Sequence, residues 1–145
     1  MTRIEKSIEI NASPEEIWPL LSWERSPEWY KAFKAVTRTS KEKGVVGETY
    51  HVTGEVGGTK AQWDAETAEL VQNQRVMWRS IGGDFTGFGT HALTPTNTGT
   101  KVTTMMDYDM PYSILGKLLD KLKFHKAFEK TVDDGLANLK TLAEK

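Results

Sequence analysis

The chain has 145 residues, a length that suits one hydrophobic core, and no shift in composition divides it. Its 19 lysines and arginines nearly balance 20 aspartates and glutamates, and the net charge of -1 offers no basic field for nucleic acid and no polybasic membrane signal. The absence of cysteine excludes a disulfide framework, a thiolate zinc site and a cysteine nucleophile.

Residues 3–11 alternate, with Ile4, Ile8 and Ile10 on one face and Glu5, Ser7 and Glu9 on the other, which predicts a half-buried strand. Lys6 falls on the apolar face. It could meet an anionic ligand or form an imine, but an unpaired buried ammonium is costly, so the expectation is a rim position or a pair with Glu66 or another carboxylate. The opening lacks the apolar core of a signal peptide, and no later run approaches the roughly 20 apolar residues of a membrane span. A cytoplasmic protein with no stable membrane insertion is expected.

After that strand, Ser13, Pro14 and Glu16 form the Ser-x-x-Glu start signal of a helix, with Ala12 and Ile17 placed as a hydrophobic staple. "SPEW" at 26–29 repeats the signal, so a second short helix carrying Trp29 and reaching toward Phe33 is expected. From 34 to 110 the punctuation is that of an antiparallel meander. Gly57-Gly58, "VQNQ", Gly82-Gly83-Asp84 and Asn97-Thr98-Gly99 each mark a turn between alternating stretches. With "KAVTRTS" and the first strand this makes about seven strands, the last ending at Pro111.

Residues 113–145 read as a helix, jointed near Gly116, and about 28 residues at 1.5 Å each would span about 42 Å. Leu118, Leu122, His125, Phe128, Val132, Leu136 and Leu139 form one stripe, and Lys123, Lys126 and Lys130 lie opposite. Lys117, Lys121, Lys123 and Lys126 are interspersed with Asp120, Glu129, Asp133 and Asp134, which predicts a solvated face.

The succession "IEINASPEEIW", "SPEW", "VMWRSIGG" and "ALTPTNTGTKVTTMMDY", followed by a long amphipathic helix, resembles the START and polyketide-cyclase superfamily, also called SRPBCC, over essentially the whole chain. The resemblance implies one domain over 1–145 with the α+β helix-grip fold. In it a curved antiparallel sheet of about seven strands wraps a long C-terminal helix, two short helices follow strand 1, and a cavity lies between sheet and helix. Members bind sterols, phospholipids, quinones, plant hormones or polyketides, and some are aromatase/cyclases. The resemblance also implies an entrance gate at the short helices, which places Trp18, Trp29 and Phe33 there.

Strand parity then selects the side chains facing that interior. Tyr50, Val52, Val56, Trp63, Ala65, Thr67, Val76, Trp78, His91, Leu93, Val102, Thr104, Met106 and Tyr108 point inward on a bulge-free reading, and Arg79 points out. Gly87 and Gly89 make that reading weakest on the strand carrying His91, since strand glycines mark bulges or close approaches. The candidate ligand contacts are Tyr50, Trp63, Trp78, His91, Thr104, Met106, Tyr108, His125, Phe128 and Val132. Aromatic and methionine side chains fill cores as readily as they line pockets, but Ala61, Ala65 and Ala92 favour open volume.

His91 and His125 are candidate proton-transfer groups if they face one another across the cavity; hydrogen-bonded pocket lining is the plainer alternative. His51, His91 and His125 lack metal-ligand spacing, and "GDFTGFG" sits in strand sequence rather than before a helix, so neither a metal nor a phosphate cofactor is called for. Three functions stay open: a container for an apolar or amphipathic small molecule such as a lipid, isoprenoid, quinone or polyketide-like compound; a polyketide cyclase or dehydratase using the cavity histidines; and a co-chaperone-like interaction module with a filled core.

Overall fold

The computed structural model describes residues 2–109 and 118–145, the side chains of 118–120 excepted. The expectations for Pro111, the helix start at 113, the joint at Gly116, Lys117 and the side chains of Leu118 and Asp120 lie outside the described residues. Seven strands are present: β1 (Thr2–Ile10), β2 (Phe33–Arg38), β3 (Thr49–Val56), β4 (Thr59–Val71), β5 (Arg75–Gly83), β6 (Thr86–Pro95) and β7 (Thr100–Asp109). They form one antiparallel sheet in the order β1-β7-β6-β5-β4-β3-β2. Between β1 and β2 lie α1 (Pro14–Ile17) and two 3-10 turns, Trp18–Leu21 and Trp23–Glu28; α2 (Leu118–Ala143) closes the chain.

The order explains the corner after β1. β1 and β2 are the two edges of the sheet, so the chain must cross its whole width before the meander can step back, hairpin by hairpin, to pair β7 with β1. The crossing starts at the expected capping box: Glu16 N–H donates to Ser13 Oγ at 3.2 Å, and Ser13 N–H donates to Glu16 Oε1 at 3.1 Å. The second short helix begins earlier than the "SPEW" signal indicates. Ser26 is not its cap but a buried member of the turn, with its hydroxyl donating to the Trp23 carbonyl at 2.6 Å. Trp29 follows as the closing residue and Phe33 opens β2.

The inward parity holds along the sheet. Tyr50, Val52, Trp63, Ala65, Thr67, Val76, Trp78, Leu93, Val102, Thr104, Met106 and Tyr108 are buried. β6 pairs with β7 without a break from Thr86 to Pro95, so its glycines serve close approach instead of a bulge. A Cβ on Gly89 would stand 2.9 Å from the Trp78 indole, which lies across it. Register shifts occur instead between Phe33 and Ala35 on β2 and at Asp64/Ala65 and Thr67/Glu69 on β4. Gly57 and Gly58 turn the β3–β4 hairpin with φ of 57° and 84°, a conformation glycine adopts without a Cβ penalty.

α2 covers the inner face. Phe124, Phe128, Val132, Leu136 and Leu139 are buried against the sheet, whereas Leu122, expected in the stripe, is 52% exposed because Phe124 takes the inward position in that turn. Lys6 reaches from β1 to α2, with its ammonium 3.3 Å from Glu129 and 3.6 Å from Asp133. Glu66, its suggested partner, accepts from Arg79 instead. The period-two pattern identifies the face carrying Lys6, but the carboxylates come from a helix more than 120 residues away in the chain.

Candidate functional site

Between sheet and helix lie two small cavities of about 30 and 40 Å³. Trp29, His91, Thr104, Val132 and Leu136 are among the walls of the first; Val56, Ala61, Trp63, Phe85, Phe124 and Phe128 are among those of the second. Tyr30, Phe33, Trp78 and Met106 line both, so these four side chains are the partition between them. Both cavities are far below the ~300 Å³ and more of a usual small-molecule pocket, so the interior around these residues is closely packed.

The packing is aromatic. Trp23 stacks on Phe33 and on Tyr50, both with centroids 5.8 Å apart, and meets Trp78 edge-on at 5.7 Å. From Phe33 the chain of rings continues to Trp63 at 5.7 Å, Phe85 at 5.3 Å from Trp63, Tyr108 at 6.3 Å from Phe85 and Phe128 at 4.9 Å from Tyr108. Such edge and offset contacts add to the apolar burial that holds the interior shut.

The two inward histidines do not meet. His91 lies in the first cavity, where Nδ1 shares a hydrogen bond of 2.8 Å with Thr104 Oγ1 and the ring stands edge-on to Trp29. Burial pulls its pKa down to about 4, which leaves the ring neutral near pH 7. His125 is half-buried on α2, with Nδ1 2.8 Å from the Tyr108 hydroxyl and Nε2 3.2 Å from Glu129. Burial first, and the Glu129 charge second, push the Tyr108 phenol up to about 12. The β7 partners of the two histidines are four residues apart, about 13 Å along a strand, and His125 lines neither cavity. His51 is on the other face of the sheet with Asp64 and Gln62, and among the described residues no group of three or more histidine or acidic side chains could hold a metal ion.

The expected gate residues take three different positions. Trp29 is 3% exposed and its indole N–H donates to the Leu20 carbonyl at 2.7 Å, which pins the ring. Phe33 belongs to the partition. Trp18 lines an outer groove of about 440 Å³ that also holds Trp23, Glu24, Glu48 and Tyr50. Leu21, Trp23 and Val76 line both this groove and the His91 cavity, so they form the wall between solvent and interior at that end.

Four residues central to this interior were not singled out by the sequence reading: Trp23, Tyr30, Phe85 and Glu48. Phe85 and Glu48 share parity with Gly87 and Tyr50, a usable signal obscured by their places beside turns. The Glu48 carboxyl is buried and accepts from Gly44 N–H at 2.9 Å, the Tyr50 hydroxyl at 2.9 Å and the Thr67 hydroxyl at 2.8 Å. Burial and the neighbouring Glu48 and Glu24 carboxyls raise the Tyr50 pKa far above the usual phenol range.

A curved seven-stranded antiparallel sheet closed on a long C-terminal helix, with short helices bridging its first two strands, is the helix-grip fold of the START-like, or SRPBCC, proteins. Residues 1–144 match the family described as "Polyketide cyclase / dehydrase and lipid transport", and the chain belongs to that family. It is 30% identical over 129 residues to an uncharacterized 17.2 kDa protein of Streptomyces lincolnensis, spanning 87% of this chain and 81% of that one. Among solved structures, TTHA0849 of Thermus thermophilus superposes with a TM-score of 0.83 at 24% identity, covering 98% of this chain and 97% of that one. The Zhui aromatase/cyclase of a Streptomyces species gives 0.78 at 15% identity over 99% and 93% of the two chains. Ginseng major latex-like protein 151 from Panax ginseng gives 0.74 at 11% identity over 98% and 97%. No helix among the described residues is long and apolar enough to cross a membrane.

Proposed function

We propose that the protein binds an apolar or amphipathic small molecule, of lipid, isoprenoid, quinone or polyketide-like type, between the sheet and α2. The observation that carries this reading is the partition: among the described residues Tyr30, Phe33, Trp78 and Met106 alone line both interior cavities, so their displacement joins the two into one apolar chamber. Met106 has several rotatable bonds, and Phe33 is only half-buried beside the β2 register shift, so the partition has side chains able to move. A ligand that takes their place recovers about 25 cal/mol for each Å² of apolar surface it removes from water. Membership in a family described by polyketide cyclization, dehydration and lipid transport supports the same reading.

The catalytic alternative rests on His91, the one of the two histidines that lines a cavity. A ring with its pKa near 4 is a weak base at neutral pH, so binding is the better-supported role. The small size of the cavities favours a second reading, a filled-core module that acts through protein contacts. Native mass spectrometry of protein purified from its source organism, followed by denaturing extraction, separates the two. A stoichiometric apolar compound is expected. Empty protein that also ignores an apolar dye and a lipid and polyketide panel would overturn the container and leave the filled core.

A further inference from the structure

Trp63 is 7% exposed, and its indole N–H is a buried donor without a hydrogen-bond partner among the described residues. The contrast with its neighbours is sharp. Trp29 N–H reaches the Leu20 carbonyl, His91 shares a bond with Thr104, the Tyr50 and Thr67 hydroxyls donate to Glu48, and Ser26 donates to Trp23. A buried donor left unmade loses its hydration without recompense, which is why native interiors keep so few.

Trp63 is part of the wall of the second cavity, among Phe33, Val56, Phe85, Phe124 and Phe128. The wall also includes Glu55 and Thr59, but the lining is otherwise almost wholly apolar, a poor setting for a water that needs two to four polar contacts. The Phe85 ring, 5.3 Å away and tilted by 41°, offers at most a π face, a weaker acceptor than an oxygen. An indole N–H only donates, so the missing partner must be an acceptor.

From this we infer that Trp63 Nε1–H is the recognition point for a carbonyl oxygen of the bound molecule, which makes the ligand a ketone-, ester- or quinone-type carbonyl carried in an apolar frame. The inference rests on the container reading and narrows it. It puts the carbonyl in the Trp63 cavity, beneath the β3–β4 hairpin, and the remaining apolar part of the molecule toward the displaced partition. A saturated hydrocarbon tail would fill the same volume and leave the donor orphaned.

The test uses two probes of nearly one shape, acetylnaphthalene and ethylnaphthalene, which differ by a carbonyl oxygen. Their dissociation constants are measured by calorimetry on the wild-type protein and on Trp63→Phe, which keeps an aromatic wall and removes the donor. The substitution should weaken acetylnaphthalene about tenfold and leave ethylnaphthalene within about twofold. On the wild-type protein, acetylnaphthalene alone should move the Trp63 indole N–H proton resonance downfield, a readout that does not depend on the variant folding. Equal effects of Trp63→Phe on both probes, no effect on either, or an indole resonance that ignores the carbonyl would overturn the inference and leave the container standing. Binding of neither probe to the wild-type protein would overturn both.

Discussion

The Tyr30 ring lies so close to Gly135 of α2 that a Cβ built there would come within 2.7 Å of its Cδ1. This contact seats the partition on the helix, because Tyr30 also meets Phe33 edge-on at 4.7 Å. Gly135→Ala sets a helix-propensity gain of about 1 kcal/mol against an overpacking cost of about 1 to 3 kcal/mol. A net loss of about 1 kcal/mol in urea denaturation is expected, because the ring can yield to the new methyl only by disturbing its contacts with Phe33 and Trp29. An alanine variant more stable than the wild type would show that Tyr30 moves freely.

Met106 is the flexible member of the partition and is 4% exposed. Met106→Ala removes the side chain that separates the cavities on the β7 side. Stability should fall by about 2 to 4 kcal/mol, and binding of an apolar dye should tighten as the cavities join. Lost stability with no gain in dye binding would mean that the site collapses around the deletion.

His91 makes stability depend on pH with a definite sign. Its folded-state pKa of about 4 lies below the ordinary 6.5, so the unfolded chain holds the extra proton between those values. This contribution is fully present above pH 6.5 and is lost as pH falls toward 4, up to about 3 kcal/mol in all. Urea titrations of the wild type and His91→Asn across this range should show a steeper decline for the wild type. Parallel curves would place the histidine in a more hydrated setting.

The Glu48 carboxyl depends on three donors, and Thr67 supplies one from a fully buried position. Thr67→Val keeps the volume and removes the hydroxyl. A loss of about 1 to 3 kcal/mol is expected from denaturation curves, because one buried carboxyl oxygen loses its donor. The exposed pair of Ser7 and Thr103 provides the control, where Thr103→Val should change stability by less than about 0.5 kcal/mol.

Much of the fold was legible because it is set by local chemistry. The capping box at Ser13 and Glu16 forms as read, Gly57-Gly58 and Asn97-Thr98-Gly99 fall between strands, and the inward parity from Tyr50 to Tyr108 holds in the buried residues, whereas Gly82 and Gly83, read as a turn, still pair with Asp64 and Trp63 at the end of β5. The departures have a common origin. "SPEW" resembles a helix start, yet Ser26 bonds back to Trp23 because the chain is already turning beneath β2 and β3. Leu122 fits the helical stripe, but Phe124 takes the inward position in that turn and enters the core instead.

By itself, the sequence determined the elements, their order and the face on which each strand side chain sits, since a two-residue strand period and a capping bond act over a few residues. Only the tertiary structure decided what those faces meet. It gave Lys6 its partners on α2, set His91 and His125 on separate β7 hydroxyls, placed a four-residue partition between two small cavities, and left the Trp63 donor without an acceptor among the described residues. Periodicity fixes the direction of a side chain but carries no information about distance across the core. Volume, pairing and an unmade hydrogen bond all depend on that distance.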